Sequence, residues 1–95
     1  MPTLTIDLQD GFTGEDVIVR VNGREVSRLS GVHTKRMLGL AKSFEVAAPD
    51  GAVTLEIEVP GKARGTTEVR EPHVGVSLKG SDVRFIANEK PFGYA

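Results

Sequence analysis

Apolar residues alternate with polar ones along most of this chain, the period of an extended strand with one face buried. Leu4, Ile6 and Leu8 alternate with Thr3, Thr5 and Asp7, which predicts a first strand over 3–8. Val17, Val19 and Val21 repeat the pattern, with Ile18 and Arg20 on the opposite face. Asn22-Gly23 follows, the pair that best tolerates the positive φ angles of a two-residue hairpin, so 16–22 should fold back on 24–29. Phe44 and Val46 start the next alternation, and Pro49-Asp50-Gly51 supplies turn chemistry before Val53, Leu55, Ile57 and Val59. This predicts a second hairpin, with 53–59 as its return strand and Pro60-Gly61 as its end. Three more strands are expected at Thr66 to Arg70, Val74 to Lys79 and Val83 to Asn88.

Ser30 to Lys42 reads two ways, as two turns of helix or as a strand followed by a bend. The strand is favoured, because Gly39 would cost a helix interior about 1 kcal/mol and β-branched Val32 and Thr34 precede it. The whole pattern predicts an all-β chain: a two-layer antiparallel β-sandwich of seven or eight short strands, of immunoglobulin-like or transthyretin-like architecture, with little or no helix. Residues 1–95 form one domain, and 89–95 an aromatic C-terminal tail. The cysteine–tryptophan–cysteine pattern of antibody domains is missing, since the chain has neither residue type.

Composition narrows the chemistry. Eleven glycines in 95 residues exceed the usual proportion of about 7%, and they fall between the apolar stretches, as turns require. Without cysteine there is no disulfide framework, thiolate metal site or thiol nucleophile. A net charge of −1 provides no global field toward phosphate backbones or anionic lipid, so neither nucleic acid nor membrane is an expected partner. No apolar run approaches the roughly 20 residues of a membrane helix, and Met1 to Asp10 lacks the basic and apolar parts of a secretion signal. The expected location is the cytoplasm.

No catalytic constellation is readable, and no enzyme activity or cofactor is expected. His33 and His73 are two possible ligands where zinc sites use three or four, and neither adjoins a serine elbow. Glu56 and Glu58 share a strand face at roughly 7 Å, the ordinary pattern of a solvated sheet surface as well as a carboxylate pair. Asp7, Asp10, Glu15 and Asp16 gather near Gly11 and Gly14, a candidate for calcium within an alternative reading as a carbohydrate- or calcium-binding module. Lys62 and Arg64, between Gly61 and Gly65, are a candidate for an anion, and with Arg24, Arg28, Lys35 and Arg36 for a basic face.

The tail is unusual, because Phe92 and Tyr94 put two of five aromatics in the last four residues. Chain ends usually become polar, and aromatic side chains supply contact area at low entropic cost. Phe12, in a glycine-rich loop, is the next candidate for exposed apolar contact. The expected function is therefore non-catalytic: interaction with another protein, or homo-oligomerisation, through edge strands and the tail, with Phe12, Phe92 and Tyr94 as the contact residues.

Overall fold

The computed structural model describes residues 3–35 and 37–93. Eight strands follow in chain order: β1 (Thr3–Leu8), β2 (Thr13–Val21), β3 (Arg24–His33), β4 (Lys42–Ala47), β5 (Val53–Val59), β6 (Ala63–Val69), β7 (His73–Lys79) and β8 (Asp82–Asn88). They form two four-stranded sheets, ordered β4-β1-β7-β8 and β3-β2-β5-β6. Alternate residues of both sheets point into one apolar cluster, with Ile6, Leu8, Val17, Val19, Leu55 and Ile57 at its centre. The all-β sandwich expected from the alternation is the observed fold, and the described residues contain no helix.

The pairing differs from expectation in two places. Strands β1 and β7 run parallel, Thr5 opposite His73 and Leu8 opposite Val76, so the sandwich is not wholly antiparallel. The hairpin expected around Pro49-Asp50-Gly51 does not form. Strand β4 pairs with β1, whereas β5 pairs with β2 and β6, so this turn carries the chain from one sheet to the other. Alternation specifies which face is buried, and Phe44, Val46, Val53 and Leu55 reach the same core whether their strands are neighbours or lie in opposing layers. The Asn22-Gly23 hairpin forms as expected, with φ of 52° and 82°.

In the ambiguous stretch, β3 runs on to His33, and a tight turn then brings Lys35 opposite Leu40. The Lys35 carbonyl accepts from the amides of Leu38 and Gly39 at 3.0 and 2.9 Å, and Gly39 takes a φ of +66°, which explains the glycine. The strand-then-bend reading of this segment holds.

Phe12 is not an exposed contact residue. It is 2% exposed and belongs to the core. Its amide donates to Thr34 Oγ1 at 3.0 Å, and its carbonyl accepts from the Thr34 amide at 2.8 Å, pinning the β1–β2 loop across the end of the sandwich. Glycine-rich context suggested exposure, but Gly11 is there for close backbone approach: a Cβ on it would lie 1.7 Å from the Leu78 carbonyl oxygen.

The two lateral seams of the sandwich are unlike. On one side β6 packs against β8, because Gly65 faces inward and leaves room for Val83 and Phe85. On the other side β3 and β4, likewise edges of their sheets, touch over a shorter stretch and leave grooves between them.

Candidate functional site: an open seam between edge strands

The β3–β4 seam holds two grooves. The larger, of about 560 Å³, is floored by Leu29, Val32, Ala41 and Phe44, with Arg28 and Lys42 at its rim. The second, of about 480 Å³, continues toward the other end between Arg24 and Val26 on one side and Ala47 to Pro49 on the other. Leu29, Ala41, Phe44 and Val26 are half-buried residues packed on the core, so the seam opens directly onto apolar side chains. Each bordering strand has a β-sheet partner on one side only, which leaves a backbone edge toward the seam. Where β3 leads into β4, the tight turn presents Met37, 91% exposed, and Leu38, 40% exposed.

The carboxylate pair on β5 is placed as expected, and its neighbours decide its chemistry. Arg20 Nη1 on β2 reaches Glu56 at 3.2 Å and Glu58 at 2.8 Å, and Arg64 on β6 reaches the same two residues at 2.8 and 3.4 Å. The hydrogen bond from Arg20 is the main reason the Glu58 carboxyl sits below its ordinary range. A glutamate held ionised in this way is the opposite of a general acid, whose pKa must be raised. Ile18, flanked across the register by Arg28 and Glu58, is 5% exposed on this outer face.

The acidic loop does not assemble into a cation site. Asp7 is buried on the outer face of the other sheet, where its carboxylate accepts from Ser43 Oγ at 2.6 Å. Glu15 accepts from the Thr13 amide and hydroxyl and pairs with Lys62, Asp16 accepts from the Gly31 amide at 3.3 Å, and Asp10 is exposed. Among the described residues no group of three or more histidines and carboxylates could hold a metal ion. His33 ends β3 and His73 begins β7, in different sheets.

The anion candidates are also engaged, Lys62 by Glu15 and Arg64 by Glu56 and Glu58. They stand at the β6 side of their sheet, whereas Arg24 and Arg28 are on β3 at the opposite edge, so the basic face expected from sequence is divided. Phe92 is half-buried, after β8 at the edge of its sheet remote from β4, and Tyr94 lies outside the described residues. The start of the tail follows β8, itself an edge strand, on the side of the sandwich opposite the β3–β4 seam.

Clean alternation does not mark the seam. Its signal is the irregular spacing in β3, where Val26, Leu29 and Val32 recur every third residue. The β2–β3 register shifts near Glu15, Val17 and Arg20 are the bulges that this spacing needs. Comparison with protein-family models, curated proteins and solved structures finds no match. No helix among the described residues is long and apolar enough to cross a membrane.

Proposed function

We propose that this β-sandwich is a non-catalytic interaction module that accepts an extended polypeptide segment along the β3–β4 seam. The observation that carries the reading is the coincidence of two one-sided strand edges with grooves between them that have an apolar floor and a polar rim. Strand addition takes affinity from main-chain hydrogen bonds and specificity from pockets for alternate side chains. Half-buried Leu29 and Phe44 supply apolar floor, and the turn that joins the two strands exposes Met37 and Leu38.

The test is a chemical-shift titration of isotope-labelled protein with short peptides that alternate valine with glutamate, glutamine or lysine. Shifts concentrated on β3, β4 and the turn between them, for at least one peptide, are expected. Absence of such shifts with all three would contradict the reading.

A further inference from the structure

We propose that the segment taken up by the seam is acidic: an extended stretch of a partner polypeptide in which carboxylates alternate with apolar residues. This rests on the strand-accepting reading above and adds the chemistry of the occupant.

The charge of this chain is segregated. Residues 24–44 hold five basic residues and one acid, Glu25, whereas the rest of the chain holds seven basic and twelve acidic residues. This segment supplies β3, the turn and the first half of β4, the walls of the larger groove. Among the described residues, no acid lines either groove, and Arg24, Arg28 and Lys42 all do. Glu25 is engaged by Arg28 at 2.8 Å, while Arg24, Lys35 and Lys42 have no ion pair among the described residues. In a protein of net charge −1 the open seam is thus its basic strip, and exposed bases at a rim attract and orient an acidic partner.

Two alternatives fit less well. Seam-to-seam pairing of two copies would set these same bases against each other, a like-charge arrangement that disfavours association. A single-stranded nucleic acid would answer the charge, but it cannot use the strand edges, and among the described residues Phe44 is the one Phe, Tyr or Trp lining the grooves, where such binding relies on successive stacking platforms.

The experiment uses fluorescently labelled, end-capped peptides of eight residues alternating valine with glutamate, glutamine or lysine, read by anisotropy. At about 50 mM salt the glutamate peptide should bind roughly tenfold tighter than the glutamine peptide, the lysine peptide should be weakest, and the gap should narrow at about 500 mM salt. Arg24 and Lys42 are exposed, so the double variant Arg24→Glu/Lys42→Glu should keep its dichroism spectrum and reverse the order. Equal binding of the glutamate and glutamine peptides, or an unchanged order in the double variant, would overturn the charge assignment and leave strand acceptance standing. An oligonucleotide of matched charge binding as tightly as the glutamate peptide, or a wild-type dimer formed through the seam, would also overturn it. No binding by any peptide would end both.

Discussion

At the scale of single residues, several side chains act through partners far away in sequence. Burial pushes the Glu15 carboxyl up, but Lys62 and the amide and hydroxyl of Thr13 outweigh it and hold the group at about 2, against an ordinary value of 4.5. A carboxyl whose folded pKa is depressed stabilises the fold fully above its unfolded pKa, and that stabilisation is lost as pH falls toward the folded value. Between about pH 4.5 and 2, the wild type should lose stability to urea more steeply than Glu15→Gln. Identical slopes would show that Glu15 is not coupled to folding. Glu58 offers a second check: in Arg20→Gln its carboxyl should titrate at higher pH, because its strongest stabilising hydrogen bond is gone. Carbon-detected titration of the glutamate carboxyls reads this directly. Gly11→Ala should cost at least about 2 kcal/mol in urea unfolding, since the new Cβ meets backbone oxygen and the φ of +92° strains any side chain.

At the scale of strands, the difference between the seams follows from small side chains. Ala63 and Gly65 on β6 face inward and admit β8, and a Cβ at Gly65 would lie 2.7 Å from Val83 Cβ. Gly65→Ala should therefore cost about 1–3 kcal/mol by overpacking, measured by urea denaturation. A change within a few tenths of a kcal/mol would mean that this seam is looser than the structure shows. Alternation made β1, β2 and β5 legible, because residues such as Leu55 and Ile57 lie in the core while Thr54 and Glu56 face outward. The partner of each strand was less legible, since period two is satisfied by any antiparallel or parallel neighbour that preserves the buried face. Hence the Pro49-Asp50-Gly51 turn reads as a hairpin when it is a crossing between layers. Phe12 shows the same limit for loops: composition around it signals exposure, and only the approach of Leu78 and Thr34 reveals a core position.

At the scale of the whole molecule, a radius of gyration of 12.2 Å agrees with the roughly 12.4 Å expected of a compact chain of this length. The core is aliphatic apart from Phe12, and on the outer faces of β2, β5 and β6 Arg20, Glu56, Glu58 and Arg64 pair with one another. The unbalanced charge and the accessible apolar floor coincide at β3 and β4. Little of this site was legible beforehand, because β3 and β4 lie in different sheets and 24–44 supplies both walls only after the turn at Lys35 and Leu40 folds back. Sequence alone groups Arg24 and Arg28 with Lys62 and Arg64, which the strand order places at the other edge.

Backbone amide hydrogen exchange, followed residue by residue with and without the valine–glutamate peptide, tests the open seam most directly. In the free protein, β1, β2, β5 and β7 should be protected, while β3 and β4 should each contain rapidly exchanging amides that slow when peptide is added. Protection of β3 and β4 equal to that of the central strands before any peptide is present, or no gain on its addition, would contradict the account.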